Sequence, residues 1–458
     1  MRKLAVSAMA AAILAASLAS GQWLETTIQL IDSTGGVSGP RRLTYNSVNN
    51  SLYVIGAGGA CVQAIDGTTN QKTARIPVGS VVWALCYNPE NNKVYCANND
   101  SYTVTVIDGA SNEIITVLVA GDHPIDLCYD PQNNKVYCAN SWGDNVAVID
   151  GASNEVIATV AAGDYPFALC CNLQDNKIYC ANHSDSTVTV IDGASNQVTA
   201  TVVVGHHPVA LCYDPQGNKV YCASMDTTVT VIDGATDTVA ATVVVGSYPY
   251  ALCYNPQDNK VYCASSRRGH VTVIDGSSNH VVATVATGRG PRALGYSPQN
   301  NKIYCANGDN DNVDVIDGES NQILKTFGVG LVPSRICYNP AYNRMYAANY
   351  NSSSISVLRD STVVVVEEGL KSRAPSPKPE ATVVSGILYL WLGTRSELPG
   401  RNSVMSRAEL LDAAGRKVLE LQAGPNDASR LAPGVYFVRQ ASGVERDAPS
   451  VTKIVVAR

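Results

Sequence analysis

At 458 residues, with charged residues at 16% and aromatics at 7%, the chain is longer than a typical single domain and sparsely charged, as expected where sheets pack face to face. The net charge of −6 is uneven: residues 371–458 hold 13 Lys and Arg against 8 Asp and Glu, or +5, which leaves −11 for residues 1–370. An acidic body without clustered Lys and Arg excludes a nucleic-acid groove, which has to displace counterions.

Residues 1–22 read as a secretory signal. Arg2 and Lys3 supply the positive start, residues 4–18 the apolar stretch, and Ser17-Leu18-Ala19 a small-residue cleavage site. That stretch is too short and too rich in Ala for a membrane span, and no other segment would cross a bilayer as a helix. No Cys marks the cleavage point, so a lipid anchor is not expected. These features predict an exported protein, secreted or held at the outer cell surface.

From there the chain repeats. Ile-Asp-Gly recurs with its Asp at Asp66, Asp108, Asp150, Asp192, Asp233, Asp275 and Asp317, in steps of 42 residues with a single step of 41. A second marker, the Tyr of Lys-Val-Tyr-Cys-Ala-Asn and its variants, keeps the same phase at Tyr53, Tyr95, Tyr137, Tyr179, Tyr221, Tyr262, Tyr304 and Tyr346. Within one unit, residues 83–87, 93–97, 103–107 and 113–119 are short β-type runs separated by Asn-, Gly-, Pro- and Ser-rich turns. Four antiparallel strands repeated every 42 residues define a propeller blade, because one such unit cannot bury both of its faces alone. The first-strand marker occurs eight times, at Tyr45, Tyr87, Tyr129, Cys171, Tyr213, Tyr254, Tyr296 and Tyr338. The expected fold is therefore an all-β propeller of eight four-stranded blades, with seven as the alternative count. Residues 26–30 and residues 362–366 compete for the slot that closes the ring.

The motifs Lys-Val-Tyr-Cys-Ala-Asn, Val-Thr-Val-Ile-Asp and the stretch Thr201 to Pro208 resemble the YVTN family of surface-exposed β-propellers. The resemblance covers roughly residues 24–366, within an expected propeller domain of residues 23–368, and departs where this chain uses Cys in place of Val. It implies a fold and little about activity.

Residues 369–380 form a Pro-rich linker. A small immunoglobulin-like β-sandwich is expected over residues 381–458, with strands at 381–384, 387–392, 408–411, 417–421, 435–439 and 452–456. The hairpin Leu411-Asp412-Ala413-Ala414-Gly415-Arg416-Lys417-Val418, the segment 431–439 and the closing Lys453-Ile454-Val455-Val456 resemble the C-terminal sorting domain of type IX secretion substrates. That resemblance implies passage across an outer membrane, with the type IX machinery as a partner.

Chemistry is harder to find. The repeated Asp residues lie at strand ends beside the Lys that opens the second strand, Lys93 near Asp108 and Lys135 near Asp150, and read as surface ion pairs worth at most ~1 kcal/mol. At the opposite, top end of the blades the repeats diverge, and variable loops on a repeated scaffold are where specificity resides. There Tyr102, Trp142, Tyr165, His206, His207, Tyr248, Arg267 and Arg268 are the expected contacts for an extracellular ligand. His123, His183, His206 and His207 lack the short spacing of a metal site. No nucleophile, base and acid fall into a recognisable pattern, so no catalytic residue, metal or cofactor is expected. Five blades carry paired cysteines, such as Cys86 and Cys96, which would face each other if Tyr87 lay opposite Tyr95; buried thiols are expected over disulfides. The reading is a secreted or cell-surface binding module for a glycan, peptide or protein. The alternative is an exported propeller enzyme of lactonase or lyase type working in the central channel.

Overall fold

The computed structural model describes residues 20–33 and 35–362, together with seven strand segments between residues 380 and 456. Eight four-stranded antiparallel sheets follow one another along the chain, and their innermost strands touch in sequence until the last meets the first. These are Ser38–Asn46, Val82–Asn88, Pro124–Asp130, Pro166–Asn172, Pro208–Asp214, Pro249–Asn255, Pro291–Ser297 and Pro333–Asn339, which open blades 1 to 8. Eight blades around a channel is the count expected from the first-strand marker.

Blade 2 shows how the sequence makes a blade. Val82–Asn88 pairs with Lys93–Asn98, which pairs with Thr103–Asp108, which pairs with the outer strand Ile114–Val119. The second strand is buried on both faces. Tyr95 and Ala97 pack against Val136, Cys138 and Ile149 of blade 3, whereas Val94 and Cys96 pack against Tyr53, Ile55 and Val62 of blade 1. Small Ala and Cys residues let the sheets approach, and all eight second-strand tyrosines are at most 1% exposed. Each apolar side chain so buried contributes roughly 1.5–3 kcal/mol.

The blades are also latched by polar contacts, and here the structure corrects the sequence reading. Lys93 does lie opposite Asp108 in the strand register. Its ammonium, however, reaches the next blade and donates to Gly151 O (2.7 Å), Ala152 O (3.3 Å) and Asn154 Oδ1 (3.0 Å). Asp108 caps its own turn instead, accepting from the amides of Ala110 (2.9 Å) and Ser111 (2.7 Å), and the Ser111 bond is the main cause of its lowered pKa. The tyrosines follow the lysines. Tyr95 donates to Asn154 Oδ1 at 3.2 Å, Tyr137 to Asn196 Oδ1 at 3.2 Å, Tyr179 to Asp237 Oδ1 at 2.7 Å and Tyr262 to Asn321 Oδ1 at 2.9 Å. Tyr346 of blade 8 donates to Asn70 of blade 1 at 3.2 Å, carrying the latch across the closure.

Closure falls to the N-terminal strand. Ser20–Gln29 takes the outer position of blade 8 beside Ser354–Thr362, so the first and last strands of the propeller share one sheet and close the ring. Residues 363–366, part of the competing segment, lie outside the described residues. Blade 8 replaces the latch lysine with Arg344, whose guanidinium does two jobs. It forks onto Glu25 of the N-terminal strand, with Nε–Oε2 at 2.7 Å, and donates from Nη1 to Gly67 O and Thr68 O of blade 1. Lysine has one point charge and cannot make that planar double contact.

The strand register also changes the cysteine picture. Asn88 Oδ1 accepts from the amides of Glu90 (3.0 Å) and Asn91 (3.3 Å), and this turn sets Asn88 opposite Lys93. Tyr87 therefore faces Val94, Cys86 faces Tyr95, and Leu85 faces Cys96. Cys86 and Cys96 point to opposite faces of the sheet, one residue out of the register needed to oppose them, and all 14 cysteines are free thiols. In blade 7 the innermost Cys is replaced by Gly295, because a Cβ there would meet Ile336 Cγ2 at 2.5 Å.

The unit that includes residues 360–458 contains two antiparallel sheets. One has three strands, Glu380–Val384, Ile387–Trp391 and Gly424–Asp427; the other has four, Lys417–Leu421, Ala408–Leu411, Gly434–Gln440 and Val451–Val456. Six of these seven match expected strands. The signal segment up to residue 19 and most of the linker lie outside the described residues. Among the described residues no helix is long and apolar enough to cross a membrane.

Arg344→Lys should lower unfolding stability by about 1–3 kcal/mol, since it loses charged hydrogen bonds at the closure. Tyr137→Phe, which loses neutral latch bonds, should cost about 1 kcal/mol. Urea titration of the two variants checks the order; equal losses would count against a special role for the closure.

Candidate functional site

The top face is built by a turn that recurs in all eight blades. The residue just before each innermost strand's first full pairing adopts a left-handed backbone: Gly39, Val81, His123, Tyr165, His207, Tyr248, Gly290 and Val332, with φ between 49° and 63°. Six of the eight are followed by the Pro that opens the next strand, and Gly39 by Pro40. Only Gly takes this conformation without strain, and the six non-Gly residues store roughly 1–3 kcal/mol each. What holds them is a repeated bond: the carbonyl of the left-handed residue accepts the amide from the neighbouring second-turn loop. The pairs include His183 N to Tyr165 O (2.9 Å), Met225 N to His207 O (3.1 Å) and Ser266 N to Tyr248 O (2.9 Å).

Aspartates of the second-turn loops tighten the same joint. Asp144 Oδ1 accepts from Tyr165 N at 3.1 Å, Asp185 Oδ2 from Asp164 N at 2.6 Å, Asp226 Oδ2 from His206 N at 2.7 Å and Asp311 Oδ1 from Val332 N at 2.8 Å. These carboxylates brace the turns, which accounts for their presence in loops that otherwise vary.

The braced turns hold up an arc of rings. His123 stacks on Trp142 (centroids 4.1 Å, planes 24° apart), with Tyr102 tilted against it at 5.0 Å. Tyr165 and Phe167 flank His183 at 5.8 and 5.6 Å, and His183 meets His207 at 4.7 Å. The arc runs over blades 2 to 5 and ends at blade 6, where Arg267 lies 4.7 Å over the Tyr248 ring. Its outer members are well exposed: Trp142 at 64%, Tyr102 at 46% and Tyr248 at 41%. His207 Nδ1 lies 3.1 Å from His183 O, a carbonyl that accepts from it. His123 Nδ1 likewise donates to Asp122 at 2.7 Å.

Of the expected contacts, Tyr102, Trp142, Tyr165, His207, Tyr248 and Arg267 join this arc. His206 stands apart, its Nδ1 beside Ser186 Oγ at 3.2 Å, and the exposed Arg268 lies beside His270. Of the four histidines weighed as a metal set, only His183 and His207 meet. Among the described residues no group of three or more His, Cys, Asp and Glu is placed to hold a metal ion.

A second feature escapes sequence reading altogether. Each innermost strand carries a bulge near its top, between Pro40 and Arg42, Pro124 and Asp126, Pro249 and Ala251, or Pro333 and Arg335, for example. A bulge sets two residues against one and re-aims a side chain. The positions it delivers to the channel are Ala or Val in some repeats but Arg42, Asp126, Phe167, Tyr250, Arg292 and Arg335 in others. These line a cavity of about 230 Å³. A wider cavity of about 490 Å³ beside it shares Tyr250 and Arg292 and opens to Tyr248 and Arg267 on the top face. Gly308 makes room for Arg292, since a Cβ there would sit 2.5 Å from its Nε. Strict alternation of strand residues hides such positions; their break from the repeat consensus was the available signal.

Charge is concentrated in the channel. Burial, and then the neighbouring Arg42, lower the pKa of Arg335. Burial alone would raise Tyr250, but Arg335, followed by Arg42 and Arg292, outweighs it and leaves the phenol below its ordinary value. Nearby, Arg41 lies 4.5 Å over the Trp83 ring, and among the described residues neither its Nε nor the indole Nε1 finds an acceptor.

Fold and site together define a β-propeller repeat protein with a braced, ring-lined top face and a cationic channel mouth. The YNCE-like beta-propeller family matches residues 165–363, which is blades 4 to 8. No curated protein matches the chain. Among solved structures, the computationally designed Ika8 protein is similar at 19% identity, covering 72% of this chain and 99% of its own, with a TM-score of 0.61. Kuenenia stuttgartiensis hydrazine synthase is similar at 20% identity, covering 71% of this chain and 97% of that one, with a TM-score of 0.52. At these identities the likeness shows the fold alone.

Burial, then His207, lowers the pKa of His183 below 6.5. The unfolded chain thus binds that proton more readily, so the stability His183 contributes is present above about pH 6.5 and is lost as the pH falls from there through the lower pKa of the folded state. The thermal midpoint should drop between pH 7 and pH 5 more steeply in the wild type than in His183→Gln. Parallel curves would remove this histidine from the account; His270, also lowered by burial and by Arg268, is the control position.

Proposed function

We propose that the chain is an exported binding module whose top face contacts a glycan, peptide or protein outside the cell. The observation that carries this reading is the arc from Tyr102 to Tyr248: exposed rings held on left-handed turns and the neighbouring second-turn loops of a closed ring. Exposed aromatic rings suit stacking against sugar faces or apolar side chains, and large aromatic residues dominate the energy of such contacts. A rigid scaffold also keeps the ordering penalty of binding low.

Delivery rests on the two terminal segments. The first 22 residues act as a secretory signal, and residues 381–458 act as the type IX sorting domain, which places the propeller outside the cell or on its outer surface. The succession of strands in the C-terminal segment supports this reading, as does the Pro-rich join before it.

A glycan and peptide array probed with the purified protein identifies the ligand. Trp142→Ala and Tyr248→Ala should each weaken binding of that ligand at least tenfold with no change in melting temperature; undiminished binding by both would refute the top-face assignment. Removal of residues 381–458 should leave a folded propeller that stays in the periplasm. Wild-type levels of the shortened protein at the surface would overturn the sorting assignment.

A further inference from the structure

The channel mouth is a different kind of site from the ring-lined face. Arg42, Arg292 and Arg335 converge on it from blades 1, 7 and 8. Arg292 is matched by Asp309, Nη2 to Oδ1 at 3.0 Å. The remaining two share one carboxylate, Asp126, which lies 3.9 Å from Arg42 Nη2 and whose other oxygen already accepts the Leu169 amide at 2.9 Å. Arg335 spends one donor on Ser334 O at 2.8 Å and lies 5.8 Å over the Tyr250 ring. Each guanidinium has five donors and keeps its proton near neutral pH, so the two arginines together carry more charge and more donors than Asp126 can meet.

The rest of the wall has the opposite character. Phe167, Val209, Leu211, Leu252 and Ile336 face the cavity from blades 4, 5, 6 and 8. A cavity of about 230 Å³ holds roughly eight water volumes, the size of a small ring with one charged group. We propose that the channel mouth binds a small amphipathic monocarboxylate, its carboxylate bridging Arg42 and Arg335 and its apolar body lying against Phe167 and Val209. Tyr250 caps the acid end by donating its hydroxyl proton to the carboxylate, and the wider cavity toward Tyr248 and Arg267 is the route in. The inference shares Phe167 and that route with the arc but rests on the channel arginines, which take no part in the top-face reading.

The test uses the full chain with benzoate as probe, and acetate and inorganic phosphate as comparisons, by calorimetric titration and thermal shift at constant ionic strength. Benzoate should bind at one equivalent, at least tenfold more tightly than acetate or phosphate, and raise the melting temperature. Arg42→Gln and Arg335→Gln should each weaken benzoate at least tenfold. Arg42→Gln serves if the more enclosed Arg335 variant does not fold. Phe167→Ala should weaken benzoate while leaving acetate unchanged. Trp142→Ala should leave benzoate binding intact, which separates failure here from failure of the top-face reading. No saturable binding, tighter binding of phosphate than of benzoate, unaltered affinity in both arginine variants, or loss of benzoate binding in Trp142→Ala would each overturn the assignment.

Discussion

The latch between neighbouring blades is the constraint on which everything else in the propeller depends. In blades 2 to 6 one lysine and one tyrosine of the second strand reach into the Asp-Gly turn of the next blade, as Lys135 and Tyr137 do at Gly193 and Asn196. The tyrosine ring fills the gap between sheets while its hydroxyl ends on a turn that would otherwise carry unmet backbone acceptors. A single contact of this kind is weak, but it joins apolar packing to a fixed angle between blades, and repeated around the ring it determines where closure falls. At the closure the demand doubles, since the N-terminal strand must be held as well, and the side chain changes to Arg344 with Glu25 as its partner. A second belt of carboxamides runs beneath, from Asn46 to Asn92 at 2.8 Å and from Asn339 back to Asn50 at 3.0 Å.

Rigidity at one end of the blades permits strain at the other. Tyr165, His207 and Tyr248 tolerate a left-handed backbone because adjacent loops grip the carbonyl of each turn, and at Tyr165 and His206 an amide as well, and a ring that cannot splay holds those loops together. The outcome is a set of side chains that cannot easily turn away from solvent. The bulges do comparable work inside the channel, delivering Arg42 and Arg335 to a lumen that most repeats line with Ala.

The two surfaces differ in what they select. The arc offers aromatic rings, imidazoles and one cation over a tyrosine, suited to a broad, partly apolar contact that stays hydrated at its rim. The channel mouth is narrow, unevenly charged and walled by aliphatic side chains on one side, suited to one small charged molecule. They meet at Tyr250 and Arg292, which line both cavities. A ligand in the channel would therefore lie next to the part of the top face that carries Tyr248 and Arg267.

The period of Ile-Asp-Gly and of the buried tyrosines determined the architecture, because a repeated blade must bury its faces against copies of itself, and eight markers meant eight blades. Gathering the variable loops at the top face was likewise legible from strand order, and six of the eight side chains expected there do form the arc. The partners of Lys93 and Asp108 were not legible. A strand register of Lys93 opposite Asp108 is local, whereas the contact that Lys93 makes lies in the next blade, 58 residues further on at Gly151. Cys86 and Cys96 were misplaced by one residue for a related reason: the Asn88-capped turn sets the register, and a single-residue shift moves a side chain to the other face. Arg42, Asp126, Tyr250 and Arg335 lay unnoticed in a strand whose alternation the bulge interrupts. Only the closed ring brings these residues, separated by hundreds of positions in the chain, within reach of one another, because convergence on a channel is a property of eight blades together and of none singly.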